Sequence, residues 1–283
     1  MGNQLKTALL LGVLTVMIVW CGAMLGGAGG MITAFVFATG MNFFSYWFSD
    51  RLVLKMYRAR EATESDAPEL YGAVRKISSA AGLPMPRVYI LPSESPNAFA
   101  TGRNPRHAAV AVTAGIMRIL NRQELEGVLA HEMAHINNRD ILIGTIAAVL
   151  AGAITLLAGM ARWGAILGGF GRDDDEGGSG LEILVLAFVA PLAAMIIQLA
   201  ISRSREYLAD ATGARFAGSP AGLARALAKL EQAAQRTPLQ SSPSTAHMFI
   251  VKPFSRSSMM QLFSTHPPIE ERIRRLQSDA AQD

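Results

Sequence analysis

The chain has 283 residues, of which 51% are hydrophobic and only 17% are charged, against about 25% charged residues in ordinary soluble domains. With a mean hydropathy of +0.27, this composition excludes a disordered or fibrous chain and favours a membrane protein. The net charge of +4 is modest, and the basic residues lie mostly beside apolar runs and form no dense patch, which argues against a nucleic-acid partner.

The first predicted elements are two membrane-spanning helices. The run Thr7–Phe48 contains no Asp, Glu, Lys, Arg or His, and as a helix it would be roughly 63 Å long, about twice the hydrocarbon core of a bilayer. Because the glycine-rich stretch 26–30 is a natural turn, segment 1–52 predicts a hairpin of two spans, about 7–25 and 31–48. A cleaved signal peptide is the alternative, but no small-residue cleavage motif closes the first run.

Segment 53–140 has ordinary polarity and is interpreted as the first part of a cytoplasmic catalytic domain. Residues 92–106 are rich in Pro, Ser and Asn and predict a loop. Asn121 is a predicted helix N-cap, with Glu124 as its capping-box partner. The patterning predicts a helix over Glu69–Ala81, strands over Arg87–Leu91 and Ala108–Thr113, and a helix from Gln123 to about Asn138.

Two further apolar runs predict a second transmembrane hairpin over 141–202. The runs Ile141–Ala161 and Ile183–Ser202 carry no charge, and each is long enough to span a bilayer. A pair of buried helices in a soluble lobe is the alternative. With four spans, the distribution of lysine and arginine puts both termini and segment 53–140 in the cytoplasm, and the acidic loop 169–180 on the opposite side.

Segment 203–283 is interpreted as the second cytoplasmic part of the catalytic domain. Helices are predicted over Arg203–Ala217, after Ser219-Pro220 and from Pro268 onward. A long loop, Thr237–Ser258, follows the second of these helices, and loops of this length are usually functional or mobile.

The helix from Gln123 carries His131-Glu132-Met133-Ala134-His135, an H-E-x-x-H motif. Its two histidines are four residues apart, so they lie on one helix face and can bind one Zn2+. Glu132 can reach a metal-bound water without being a ligand, and can take the proton of that water as a general base. The motif predicts a catalytic metal site rather than a solvated helix with incidental polar residues.

A third metal ligand must come from elsewhere, because residues 136–140 add no further histidine. If the second hairpin packs antiparallel, Glu206 and His135 reach the same depth near the cytoplasmic surface, which favours Glu206 or its neighbour Asp210. One carboxylate could bind the metal while the other orients a ligand histidine. A surface salt bridge to a nearby arginine is the alternative for Glu206. The full set of candidates is Glu206, Asp210, His247 and His266.

Three more motifs accompany the H-E-x-x-H sequence: Asn97–Gly102, Ser204–Asp210 and Ser264–Pro268. Together they resemble the HtpX family of bacterial membrane zinc endopeptidases, a family related to the membrane proteases that process prenylated CAAX proteins. The resemblance covers nearly the whole chain, including the four apolar runs. The expected fold is a mainly α membrane protein: four transmembrane helices plus a gluzincin-like α+β zinc-peptidase domain with a small edge-exposed sheet.

The resemblance implies one Zn2+ per chain, held by His131, His135 and Glu206, with Asp210 supporting a histidine ligand. It implies an enzyme of the bacterial inner membrane that carries out stress-related quality control, with its catalytic domain in the cytoplasm. The expected partners are the lipid bilayer and polypeptide substrates, either membrane proteins or unfolded chains. The depth of the site predicts cleavage in cytosolic loops or tails close to the bilayer.

The resemblance also suggests a substrate-binding edge at Asn97, Ala98 and Phe99, where an extended substrate would add as a strand. It implies that His266 lies near the site, where it could stabilise the developing oxyanion, with Arg203 as a rival for that role. Simpler interpretations remain: a turn with one buried phenylalanine at Asn97–Phe99, and a helix cap at His266.

Two other functions compete with a surface-active peptidase. An intramembrane protease would need its H-E-x-x-H motif inside a span, but charged and amide residues flank the motif at 122–126 and 137–140. A non-catalytic membrane chaperone with a structural zinc would not need Glu132. Retention of function in a Glu132→Gln variant would favour the chaperone.

Overall fold

A computed structural model describes residues 3–147, 203–236, 250 and 267–280. The described part is mainly helical with one small sheet, as the sequence predicts. The strands are β1 (Arg60–Glu61), β2 (Arg87–Leu91), β3 (Ala98–Gly102) and β4 (Ala108–Thr113). The labelled helices are α1 (Asn3–Met56), α2 (Pro68–Ala81), α3 (Ala114–Ile119), α4 (Arg122–Asn137), α5 (Arg203–Ala217), α6 (Ala221–Arg236) and α7 (Ile269–Ala280).

Helix α1 folds back on itself at two adjacent glycines. Gly26 (φ −141°, ψ 20°) and Gly27 (φ 58°, ψ −140°) leave helical geometry, and glycine adopts a positive φ without steric penalty. The two arms then contact each other, because the Asn42 side-chain amide donates a hydrogen bond to the Thr15 hydroxyl at 2.7 Å. The turn predicted inside the first apolar run is therefore confirmed.

The second arm of α1 is the clearest candidate for a membrane span. Within the described residues, Gly26–Met56 is the helix long and apolar enough to cross a bilayer, and a shorter apolar stretch, Thr7–Trp20, precedes it. Large side chains along α1 are exposed, for example Phe35 at 55% and Phe37 at 62%, as expected for a surface that lipid covers. The predicted second hairpin lies outside the described residues, apart from the helical residues 141–147.

The sheet has the strand order β1-β2-β4-β3. β2 and β4 are parallel and match the two predicted strands, while β1 and β3 pair antiparallel at the edges. β3 lies inside residues 92–106, so the prediction of a loop was wrong for Ala98–Gly102. Only the central residue of β3 is partly exposed, and a short strand covered on both faces lacks the alternation that reveals a strand.

Helix α4 begins as predicted. The Asn121 side chain accepts a hydrogen bond from the Glu124 backbone N–H at 3.0 Å, and the Glu124 carboxylate accepts one from the Asn121 N–H at 2.9 Å. This capping box satisfies donors that the first helical turn leaves unpaired. It fixes the start of the helix that carries the H-E-x-x-H motif.

Helix α4 packs against α2, α5, α6 and the sheet, and two glycines permit close approach. A Cβ atom at Gly213 of α5 would lie 2.9 Å from the His131 Cα, and one at Gly127 of α4 would lie 2.4 Å from the Leu223 N. Real Cβ atoms do not approach so closely, so these positions require glycine. The polar side chains of α5 can therefore reach the histidines of α4.

The sheet separates two apolar clusters. The larger one joins one face of the sheet to α2, α4, α6 and α7. On the other face, Val53 and Leu54 from the end of α1 pack with Phe99 and neighbouring strand residues. The end of the second arm of α1 thus packs together with the strands beside the motif helix.

Candidate metal centre

Three predicted ligands converge at the contact between α4 and α5. The Nε2 atoms of His131 and His135 lie 3.1 Å apart. The two Glu206 carboxylate oxygens lie 3.6 Å from His131 Nε2 and 3.7 Å from His135 Nε2. Ligands bound tetrahedrally at about 2.1 Å from one ion are about 3.4 Å apart. The donor set therefore fits a single divalent cation.

Each histidine is held by a carboxylate on its other ring nitrogen. His131 Nδ1 lies 2.9 Å from Asp210 Oδ1, and His135 Nδ1 lies 3.1 Å from both carboxylate oxygens of Asp140. A carboxylate at Nδ1 accepts the ring N–H and leaves the lone pair of Nε2 available, which is the arrangement of metal-binding histidines. These contacts are a second sign, independent of the ligand distances, that the side chains suit a metal.

The electrostatic field of the site favours positive charge. Burial lowers the pKa of His135, but the carboxylate of Asp140, followed by those of Glu206 and Glu132, outweighs burial and raises this pKa to about 10. A cation held by the histidine Nε2 atoms lies in the same field, which opposes the cost of burying its charge.

The side chain of Glu132 extends from α4 to the edge of the sheet. Its Oε2 accepts a hydrogen bond from the Ala100 backbone N–H of β3 at 2.8 Å, and the residue is only 4% exposed. Burial raises the pKa of Glu132, although His131 and His135 oppose the rise. A carboxyl group with a raised pKa is well suited to accept a proton and then release it.

Arg272 of α7 completes the buried cluster, a role that was not predicted from the sequence. Its guanidinium contacts both Asp210 oxygens, at 2.6 Å from Nη2 and 2.9 Å from Nε. Burial raises the pKa of Asp210, but Arg272 and then His131 outweigh burial and hold this pKa below its usual value. Arg272 therefore keeps Asp210 ionised, as the acceptor of the His131 N–H.

A sequence signal for Arg272 did exist. Ile269, Ile273 and Leu276 form the apolar face of the last helix, and Arg272 falls on that face at helical spacing. A cation inside an apolar stripe needs a buried partner. The fully buried position of Arg272 bears out that signal.

Asp140 also contributes to the site, although the sequence indicates only a structural role for it at the end of α4. It follows α4, and its backbone turns back because Arg139 adopts a positive φ of 56°. This turn brings the Asp140 carboxylate against His135, five residues earlier. The sequence shows only a helix end at this point, and no spacing rule predicts the return of the chain.

The predicted substrate segment overlaps the first two residues of the edge strand β3, and its side chains are buried. Asn97, Ala98 and Phe99 are at most 2% exposed. The Asn97 side-chain oxygen accepts hydrogen bonds from the Ala98 and Ile250 N–H groups at 2.9 and 3.2 Å. The Ala100 N–H points to Glu132 rather than to β4, so the outer edge of β3 faces the motif helix. This segment can meet a substrate through its backbone but not through these three side chains.

The two candidates for oxyanion stabilisation are not brought to the site by the described structure. Arg203 is exposed at the first residue of α5, and His266, like His247, lies outside the described residues. The neighbouring Arg205 is closer to the centre: burial lowers its pKa, against the charges of Asp140 and Glu206. The oxyanion roles of Arg203 and His266 stay predictions.

Comparison with known proteins shows the family to which this chain belongs. The sequence profile of peptidase family M48 matches residues 64–280. A protease HtpX homolog from Desulfatibacillum aliphaticivorans is 60% identical over 277 residues, which cover 98% of this chain and 89% of that protein. The homolog from Syntrophobacter fumaroxidans is 59% identical over 282 residues, which cover 98% of this chain and all of that protein (100%).

Among solved structures, the crystal structure of S. mikatae Ste24p is similar in fold. The TM-score is 0.54 at 17% sequence identity, and the match covers 97% of this chain. This chain spans 64% of the length of Ste24p. At that identity the likeness concerns the fold alone.

Proposed function

Because this chain belongs to peptidase family M48 and is a membrane-associated metalloprotease, we propose that it is a zinc endopeptidase with its catalytic site between α4, α5 and β3. The observation that supports this most strongly is the convergence of His131, His135 and Glu206. Both histidines are also braced by carboxylates at Nδ1. Two imidazoles and one carboxylate form a donor set that suits zinc.

The proposed chemistry is hydrolysis of a peptide bond. Zinc held by His131, His135 and Glu206 would polarise the substrate carbonyl and lower the pKa of a water molecule. Glu132 accepts a proton from the attacking water on a carboxylate oxygen as the new C–O bond forms. It then delivers that proton to the amide nitrogen as the C–N bond breaks, so the products are a carboxylic acid and an amine. The raised pKa of Glu132 favours this shuttle.

An extended substrate would bind along the outer edge of β3. This edge faces Glu132 through the Ala100 N–H, and strand addition relies on backbone hydrogen bonds with little demand on sequence. Such binding suits a broad range of unfolded segments. The buried side chains of Asn97, Ala98 and Phe99 would act by holding the strand edge in place.

We further propose the cellular setting. The packing of Val53 and Leu54 of α1 on the sheet supports a catalytic site close to the membrane surface. Four spans, with the second pair in 141–202, would anchor the enzyme in the bacterial inner membrane with its catalytic domain in the cytoplasm. Its substrates would be misfolded or damaged membrane proteins cut in cytosolic segments, as part of stress-related quality control.

The direct test of catalysis compares wild type with Glu132→Gln. Glutamine keeps the size of the side chain but cannot accept the proton, and removal of a general base is expected to lower turnover by about 100-fold or more. Casein digestion would measure turnover, and elemental analysis would measure bound metal in the same samples. We expect equal metal content and lost hydrolysis. Equal hydrolysis by both proteins would contradict the proposed role of Glu132.

A further inference from the structure

A cavity of about 830 Å³ lies where the first arm of α1 meets the catalytic domain. Leu11 and Tyr46 of α1 contribute to its lining. Three arginines, Arg103, Arg106 and Arg139, also line it, and none of the described lining residues is acidic. The lining therefore combines apolar side chains with three positive charges.

The three arginines have no acidic partner in the part of the chain that the structure describes. The guanidinium carbon of Arg103 lies 4.6 Å from the ring centroid of Trp47, a cation–π contact that leaves its N–H groups available. Arg139 adopts a left-handed backbone conformation, with a φ of 56°. Arg106 and Arg139 are exposed and Arg103 is partly exposed, so their guanidinium groups are accessible to an anion that enters the cavity.

The cavity lies where the apolar arms of α1 end. The first apolar stretch begins at Thr7, and Leu142, which lines the cavity, is the second residue of the apolar run that follows α4. Tyr46 and Trp47 contact each other at 5.4 Å between ring centroids, and such aromatic residues concentrate at the membrane–water boundary. These positions support a placement of the three arginines at the depth of lipid headgroups.

The size of the cavity and its mixed apolar and basic lining indicate an amphiphilic ligand. A volume of about 830 Å³ is far larger than a free phosphate needs and is in the range of pockets for larger organic ligands. Guanidinium groups bind phosphate oxygens in a bidentate manner, and basic pockets beside membrane helices hold anionic headgroups. The apolar lining residues, such as Leu11 and Leu142, suit acyl chains.

We propose that this cavity binds the headgroup of an anionic phospholipid from the leaflet on the side of the catalytic domain. The phosphodiester would contact Arg103, Arg106 and Arg139, while the acyl chains would lie along the apolar arm of α1. The site is separate from the metal centre and does not depend on peptide hydrolysis.

The test uses full-length protein, delipidated in detergent and titrated with phosphatidylglycerol while binding is followed by native mass spectrometry. The Arg103→Gln, Arg106→Gln, Arg139→Gln triple variant is expected to bind this lipid about 100-fold more weakly. The matched control changes three exposed arginines away from the cavity, and its affinity should stay within about twofold of wild type. These arginines are Arg118, Arg225 and Arg274.

Two further titrations distinguish an anionic lipid from the other possible ligands. Phosphatidylcholine should bind wild type at least about tenfold more weakly than phosphatidylglycerol, because its headgroup has no net charge. Glycerol 3-phosphate tests for a soluble phosphate. Binding of glycerol 3-phosphate as tight as that of the lipid would overturn the proposal, and so would equal losses in both triple variants.

A cavity-filling variant keeps the test valid if the triple variant does not fold. Ala8 lines the cavity, and Ala8→Trp would occupy its space without changing any charge. The single variant Arg106→Gln alters an exposed side chain, and such a surface substitution should change stability little. Both variants should bind phosphatidylglycerol more weakly than wild type, and wild-type affinity in both would overturn the proposal.

Discussion

At the scale of single residues, each histidine of the motif depends on a carboxylate from outside its own helix. Asp210 comes from α5 and Asp140 from the turn after α4. Both aspartates are buried, at 4% and 6% exposure. Their oxygens fix the hydrogen on Nδ1 and so direct both Nε2 atoms to a common point.

This dependence predicts the effect of Asp140→Asn. The amide is a weaker acceptor for the His135 N–H and can present its NH2 group instead, so zinc affinity should fall by about 10- to 100-fold. Competition with a chromophoric chelator would measure the affinity. Asp66→Asn, at an exposed position, is the control and should bind zinc like wild type. An unchanged affinity in Asp140→Asn would mean that Asp140 does not support the ligand.

Residue-scale reasoning from sequence identified the side chains whose spacing is local. The i, i+4 histidines, the neighbouring Glu132 and the cap at Asn121 all follow from helix geometry. The partners Asp140 and Arg272 escaped prediction because their roles depend on where a tight turn and the last helix return to α4. Short motifs encode the ligands well, and tertiary packing supplies most of what orients them.

At the scale of elements, the approach of α5 to α4 sets the site. Glu206, Asp210 and Gly213 occur at i, i+4 and i+7 on one face of α5. The glycine lies directly against the backbone at His131. Gly213 lets α5 approach α4 closely. This close approach is what allows the carboxylates of Glu206 and Asp210 to reach the histidines.

The variant Gly213→Ala tests this contact. A Cβ atom here would lie 2.9 Å from the His131 Cα and N, so α5 must shift, and the variant should lower both the thermal unfolding midpoint and zinc affinity. Gly72→Ala in α2 is a matched control, because nothing lies within 4 Å of its added Cβ. That control should be neutral or stabilise by about 0.5–1 kcal/mol. Equal midpoints for wild type and Gly213→Ala would count against the tight contact.

Element-scale prediction succeeded where the pattern was periodic and failed at β3. The helices α2, α4 and α5 and the strands β2 and β4 follow the predicted ranges closely. β3 follows a Pro- and Ser-rich stretch, and nearly all of its residues are buried on both faces, so neither composition nor alternation revealed it. Only the family resemblance indicated a strand edge near Asn97–Phe99, because the local sequence pattern did not.

At the scale of the whole molecule, the second arm of α1 and the sheet form one packed unit. Phe99 of β3 contacts Tyr57 just after α1, with 6.0 Å between ring centroids. Arg87 of β2 forms an ion pair with Asp50 of α1 at 2.9 Å. The end of α1 is thus tied to two strands, so the height of the site above the bilayer should be fixed.

A fixed height predicts that cleavage depends on distance from the membrane. A single cleavable segment would be placed at increasing distances from the transmembrane helix of a model substrate, with the protease and the substrate in the same vesicles. Segments close to the bilayer should be cut faster than distant ones, because they reach the β3 edge without unfavourable chain stretching. Equal cutting at every distance would contradict a site held at the membrane surface.

Zinc content in Glu206→Ala is the most direct test of the central claim, which is that α4 and α5 together bind one catalytic ion. Purified wild type and the control Glu69→Ala, at an exposed position, should each contain about one zinc per chain and hydrolyse casein. Glu206→Ala should lose most of both the metal and the hydrolysis, since two imidazoles alone bind weakly. Full zinc occupancy together with wild-type hydrolysis in Glu206→Ala would contradict the account.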